Sequence, residues 1–205
     1  MKKILIIPLM ILLTALSCTI ERLDEARQRE AQKEFNAADY AKKFWDATLL
    51  NNLHKAVDAA LLIRKIENNP AGAKKEYART PGNSSIYYYF TGGKGYIISI
   101  EEGMIYIGLK PGGDEPDLAI VTSEIFGNAI RDGSGLLNIN DFDNIQNFND
   151  VSNEINKIVL DKVVPAFNNS LRVGDKITFT GCAEVMDEVL DLDPLLLVPV
   201  NVEKL

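Results

Sequence analysis

The residues of this chain best suited to chemistry stand in one short run, Ser123-Glu124-Ile125-Phe126-Gly127-Asn128-Ala129-Ile130-Arg131-Asp132-Gly133-Ser134-Gly135. Polar and charged side chains lie there between glycines, which let backbone approach a partner closely. Asn128, Arg131 and Asp132 offer an amide, a fork of cationic donors and a carboxylate acceptor, the mixture that satisfies the hydroxyl groups of a small polar ligand. They are the candidate ligand-binding residues. The plainer reading, and the one that the sequence favours, is a buried structural ion pair or a glycine-rich turn whose side chains cap the next helix. In a strand, Arg131 and Asp132 would point to opposite faces and could not share one ligand, whereas a turn would allow it.

Other constellations are weaker. Asp141-Phe142-Asp143 begins like a calcium loop, but Ile145 occupies a ligand position, glycine is missing at position six and Ser152 stands at position twelve, so the EF-hand reading fails. One histidine, His54, and two cysteines, Cys18 and Cys182, are too few for a zinc site built on cysteine and histidine, and no metal or cofactor is expected. A Ser/His/Asp triad would have to be built on His54, which lies amid helical sequence with no nucleophile pattern nearby. Trp45 and the run Tyr87-Tyr88-Tyr89-Phe90 could stack on a sugar ring, yet Trp45 falls in an apolar helical stripe and the tyrosines suit a strand, so core packing is expected of both. A hydrolase using two carboxylates would draw on the 29 acidic residues, but spacing positions no pair of them. No catalytic residue is assigned, and the chain is expected not to be an enzyme.

The elements that must hold the 123–135 run follow from periodicity. Residues 35–69 read as helical: Ala37, Ala41, Phe44, Trp45 and Leu49, then Leu53, Ala56, Val57, Ala60 and Leu61, recur at three and four. Asn36 is placed as the cap, with Phe35 and Tyr40 as a hydrophobic staple, a break at Asn51-Asn52 and an end at Asn68-Asn69-Pro70. From Ser84 the period becomes two. Residues 84–91, 95–101 and 104–110 read as three antiparallel strands turning at Gly92-Gly93 and at Glu102-Gly103, with 118–122 as a fourth. A helix near 141–162 follows, with Phe142, Ile145, Phe148, Val151, Ile155, Ile158 and Val159 on its apolar face. Two strands close the chain: 176–185, with Ile177, Phe179, Gly181, Ala183 and Val185 on one face, and 195–202, where Pro194 and Pro199 suggest an edge. The expected fold is α+β, an N-terminal helical segment followed by an antiparallel β-barrel of OB-like topology, with one helix between the first strands and the last two. Residues 35–205 form one domain in this reading, at a length and composition ordinary for a globular chain.

Charge and address limit the function classes. With 22 basic against 29 acidic residues the net charge is −7, so no basic field is available for nucleic acid, and no nucleic-acid partner is expected. Lys2 and Lys3 precede the apolar run Ile4 to Leu13, and the stretch to Leu16 is well short of the roughly 20 residues that span a bilayer. Ala15-Leu16-Ser17-Cys18 resembles a lipobox. Residues 1–17 are therefore expected to be a lipoprotein signal peptide and Cys18 the acylated first residue of the mature chain, anchored because each buried methylene contributes about 0.8 kcal/mol. Residues 18–34, dense in charge, read as a tether. Acylation of Cys18 would leave Cys182 as a lone thiol, expected to be buried. Thr19 does not supply the aspartate that retains enterobacterial lipoproteins in the inner membrane, which favours the outer one.

The runs IFGNAIRDG, INDFDNIQNFNDVSNEIN, LRVGDKITFTGCAEV and VPVNVEKL, together with CTI and YAKKFWDATLL nearer the N-terminus, resemble the family of predicted periplasmic lipoproteins of unknown function often encoded beside sugar ABC transporters. Thr122-Ser123 stands where that family carries Gly-Pro. The resemblance implies an envelope lipoprotein with its domain in the periplasm and no assigned activity. The expected function is a non-catalytic accessory in solute uptake, sugar included, whose partner is a small polar solute or an ABC-transporter component. The alternatives are a structural or protein-interaction lipoprotein without a small ligand and a carboxylate-dependent hydrolase.

Overall fold

The computed structural model describes residues 35–81, 84–187 and 191–205. Residues 1–17, expected to be a signal peptide, and 18–34, expected to be a tether beginning at Cys18, lie outside the described residues. Residues Ala37–Leu205 form one compact unit.

The unit opens with α1 (Ala37–Lys43), which runs on through π-helical turns at Phe44–Leu49 and 3-10 turns at Leu50–Lys55. The expected break falls where Asn52 leaves helical backbone, at φ −116° and ψ 16°. A two-residue strand β1 (Val57–Asp58) then leads into α2 (Ala59–Asn68), capped by the Asp58 carboxylate accepting from the Leu61 amide at 2.9 Å. Asn69-Pro70 ends α2 and also starts α3 (Pro70–Tyr77): the Asn69 side chain accepts from the Gly72 amide, and proline at the first turn has no N–H to lose. His54 is exposed, whereas Trp45 is buried among Phe44 and Leu49 as core.

Five strands close on themselves. β2 (Tyr87–Glu101) pairs antiparallel with β3 (Met104–Gly108), β3 with β4 (Leu118–Val121), and β2 also with β5 (Lys176–Val185). β6 (Leu195–Lys204) pairs antiparallel with β5 and parallel with β4, which completes the ring, while β1 lies parallel to β2. The ring encloses Ile97, Ile105, Ile107, Leu118, Ile120, Phe179, Leu195 and Leu197, all buried. The expected face of β5, Ile177, Phe179, Gly181, Ala183 and Val185, is buried throughout, and so is Cys182.

Three expectations about the strands change. Gly92-Gly93 is no turn: β2 runs through both glycines as one strand, because a side chain at Gly92 would stand 2.6 Å from the Phe179 carbonyl oxygen of β5. The glycine serves close strand approach instead of chain reversal. The sheet is not wholly antiparallel, since β4 and β6 run parallel, which their long helical crossover permits. Nor is β6 an edge. Pro199 pairs with Gly181 beside a bulge, the one place in a central strand where a missing N–H is tolerated.

Between β4 and β5 the chain forms α4 (Ala129–Gly133), a 3-10 turn at Ile139–Asp141, and α5 (Ile145–Ile158), which continues through π-helical turns into α6 (Val164–Asn168). The helix expected near 141–162 begins later because Asn144, whose side chain accepts from the Asn147 amide, is its cap. Ile145, expected in the apolar face, is 63% exposed. α5 packs on α1, and its Val151 and Ile155, like Val159 just beyond it, are buried.

Gly92→Ala is expected to destabilise the domain by about 1 to 3 kcal/mol, the usual cost of forcing extra volume into a packed core. Gly113→Ala, with its nearest neighbour 3.7 Å away, should stay within about 0.5 kcal/mol. Urea melts of the two variants check the pair.

Candidate functional site

α4 is five residues long, and its sequence AIRDG explains its position. Gly133 has no side chain because one would meet the Cys182 Cβ at 3.0 Å and the Tyr89 carbonyl oxygen at 3.4 Å, so α4 lies directly on β5 and β2. The loop before it is fastened from α5: the Ser152 hydroxyl and the Asn156 amide both donate to the Gly127 carbonyl at 3.0 Å. That loop carries Glu124 at φ 49° and Gly127 at φ 78°. Left-handed backbone at Glu124 is a strain that the loop's anchorage sustains.

Arg131 and Asp132, consecutive in α4, turn their side chains onto each other. The Arg131 Nε donates to one Asp132 oxygen at 2.8 Å and an Nη to the other at 2.9 Å, a bidentate pair whose side chains are each 7% exposed. The second Nη donates to the Asn149 side-chain oxygen at 2.8 Å, and the guanidinium carbon sits 4.0 Å from the centre of the Phe148 ring. Phe148 in turn packs on Phe142 at 5.1 Å, and Phe142 on Tyr40 at 4.9 Å. Of the three expected site residues, Arg131 and Asp132 therefore meet, while Asn128 stands apart as the residue preceding α4. Its carbonyl accepts the Asp132 amide, and its side chain neither caps α4 nor lines a cavity described below. The pairing matches the structural reading of Arg131-Asp132, although the pair also borders open space.

That space is a cavity of about 560 Å³, within the range of small-ligand sites. Arg131, Asp132 and Asn149 form one wall and Leu137, Ile139, Ile145 and Phe148 supply apolar surface. Arg79, Thr80 and Pro81 close the remaining side. Sequence reasoning missed Arg79, Phe148 and Asn149. Arg79 follows a helix and precedes a strand with no motif around it, and Asn149 gains meaning only once α5 faces α4.

A second cavity, of about 520 Å³, is lined in part by residues 123–126 of the loop before α4. Glu102, Glu124, Glu184 and Asp191 border it beside Phe126, Met186 and Leu196, with the Phe126 ring 79% exposed. Burial holds the Glu184 carboxyl above the usual range, and Asp132 and Asp191 add to the rise against a hydrogen bond with Tyr88. Tyr88 is pushed up to about 12, first by burial and then by Glu184 and Asp132. Asp191 accepts from the Met186 and Asp187 amides at 2.7 and 2.8 Å, so its position is fixed by backbone. Burial alone raises the Cys182 thiol, which suits a packing residue better than a nucleophile. Among the described residues, no cluster of metal-ligating side chains and no helix long and apolar enough to cross a membrane is present.

The family model described as "Predicted periplasmic lipoprotein (DUF2291)" matches residues 8–203. No curated protein matches the chain. Among solved structures, the chain is similar to an OB-fold protein from Thermotoga maritima at 28% sequence identity, with a TM-score of 0.75 over 83% of this chain and 99% of that one.

Asp132→Ala leaves the buried Arg131 guanidinium without its carboxylate and is expected to cost about 3 to 5 kcal/mol in chemical denaturation. The double variant Arg131→Met with Asp132→Leu, which removes both charges and keeps volume, should recover most of that loss. A double variant as unstable as the single one would count against a structural role for the pair.

Proposed function

The chain belongs to the family of predicted periplasmic lipoproteins, and from that premise we propose that it is an acylated envelope protein whose domain binds a small solute without transforming it. It acts as an accessory to uptake, with sugars among the solutes to test. The observation that carries this reading is the 560 Å³ cavity between Arg79–Pro81, α4 and α5. Its lining combines Arg79, Thr80, Asn138 and Asn149 with the apolar Leu137, Ile139, Ile145 and Phe148, and the Arg131-Asp132 pair beside it is already occupied with itself. Mutual satisfaction of that pair suits binding better than turnover, because neither group is left as a free acid, base or nucleophile. Asn149 and the remaining guanidinium hydrogens are the donors and acceptors that would orient a solute, and Asn128 has no part in holding it.

Cys18 is the residue that anchors the chain, and the tether at 18–34 stands the domain off the membrane. Metabolic labelling with a fatty acid should mark the wild-type protein and fail in Cys18→Ala; label that survives the substitution would overturn the assignment.

A solute panel of monosaccharides, nucleosides and amino acids in a thermal-shift assay tests the binding. At 100 times its dissociation constant a solute contributes about 2.7 kcal/mol, roughly 5 to 11 °C for a domain of this size. Ile145→Trp, placed on an exposed residue at the cavity wall, should abolish the shift while leaving the unliganded melting midpoint unchanged. No shift for any solute at millimolar concentration would turn the reading towards a protein partner.

A further inference from the structure

Arg79 is held in place by groups that have no use for its charge. Its backbone exchanges two hydrogen bonds of 2.8 Å with Tyr88, which ties its Cα to β2. Its side chain lies close against Gly135. A Cβ built at Gly135 would fall 2.0 Å from the Arg79 Nε and 2.4 Å from Cζ, and Gly135 itself sits at φ 63°. The position is thus open to glycine alone on two counts, backbone sign and room for the guanidinium. Among the described residues Arg79 makes no ion pair and no side-chain hydrogen bond, in a chain that carries 29 carboxylate residues.

The cavity it borders holds two guanidiniums and one carboxylate. Arg131 and Asp132 cancel, which leaves Arg79 as the uncompensated charge facing that space. The wall on the other side is apolar and unusually open: Ile139 is 44% and Ile145 63% exposed, side chains that a ligand's body would cover. One positive charge opposite a patch of exposed isoleucine is complementary to a monoanion with an apolar body.

We propose that the solute of this cavity is a small carboxylic acid whose carboxylate is taken bidentately by the Arg79 guanidinium and whose hydrocarbon part packs on Ile139, Ile145 and Phe148. This rests on the solute-binding reading above and names the chemical class that the cavity selects. A fork of parallel N–H donors matches the two oxygens of a carboxylate in geometry as well as in charge. A neutral sugar could accept hydrogen bonds from Arg79 but would bring neither a charge to offset the guanidinium nor an apolar body to cover Ile139 and Ile145.

Isothermal titration of the full chain, purified in a non-ionic detergent with micelle blanks subtracted, compares three probes: phenylacetate, phenylacetamide and glucose. Phenylacetate and phenylacetamide share one apolar body and differ in charge. The expected result is that phenylacetate binds at least tenfold more tightly than its amide, and that Arg79→Gln removes this difference while leaving the melting midpoint of the unliganded protein in place. Gln is tolerated at this site because the pairing with Tyr88 uses backbone alone. If phenylacetamide or glucose binds as tightly as phenylacetate, or Arg79→Gln leaves the preference intact, the assignment of the anion to Arg79 is wrong and solute binding stands. If none of the three binds to the wild-type chain, the carboxylate class falls, and a negative thermal-shift panel would then remove solute binding as well.

Discussion

A guanidinium taken out of water must find acceptors for its donors or destabilise whatever buries it, and the packing of the helical crossover onto the strand ring turns on how Arg131 meets that demand. Its neighbour Asp132 takes two of the donors and Asn149 of α5 takes a third, while the flat face rests on Phe148. One side chain therefore joins α4 to α5. Phe148 carries the contact on to Phe142 and Tyr40, which brings in α1. On the opposite side of α4, Gly133 lies against Cys182 and Tyr89, which brings in β5 and β2. A five-residue helix is far too short to be stable by itself; it exists here because tertiary partners hold it on both faces.

The ring of strands depends on a second constraint, the distance between backbones. Gly92, Gly95 and Gly181 each stand where a Cβ would come within 2.6 Å of a neighbouring strand's atoms: the Phe179 carbonyl, the Ile107 side chain and the Val198 carbonyl. Their shared feature is an absent side chain rather than an unusual φ, since none of the three has positive φ. Closure also requires β6 to reach both β4 and β5, and the parallel pairing with β4 becomes possible only after the chain has crossed the ring by way of α4, α5 and α6. The helical segment that builds the candidate site is thus the same segment that the topology needs as its crossover.

The two constraints explain what could and could not be read from the residues. Strand β5 was legible because its period of two meets one buried face, and the helical stripe of α1 because Ala41, Phe44, Trp45 and Leu49 repeat at helical spacing. The break at Asn52 was legible from its asparagines. Gly92-Gly93 was not, because a glycine pair serves a turn and a close strand approach equally well, and only the position of Phe179, far along the chain, decides between them. Pro199 reads as an edge signal for a similar reason: only the bulge at Val200 in its own strand, opposite Thr180-Gly181, accommodates the missing donor. At the site, adjacency makes Arg131 and Asp132 conspicuous, and the segment is a short helix rather than a strand, which lets the two neighbouring side chains turn towards one another. Asn128 shares their proximity in sequence, yet it precedes α4 with non-helical backbone and does not line the cavity that Arg131 and Asp132 border.

Arg131 and Arg79 border the same cavity and show why residue type does not fix role. Arg131 has a carboxylate beside it in sequence and two α5 side chains against it in space, so its charge is spent inside the protein. Arg79 is exposed; its backbone is tied to β2 and its side chain lies against Gly135, contacts with a carbonyl, an amide and a glycine surface, none of which offsets charge. Side-chain entropy is the usual reason for an exposed arginine to contribute little to binding, because ordering it on contact costs about as much as the contact returns. Laying Arg79 against Gly135 lowers that cost before any ligand arrives. In a chain of net charge −7 the long-range field repels anions, so selectivity for one must come from short-range geometry. A fork of donors beside open apolar side chains supplies that geometry at hydrogen-bond distance, whereas the field of the more distant carboxylates is screened by salt.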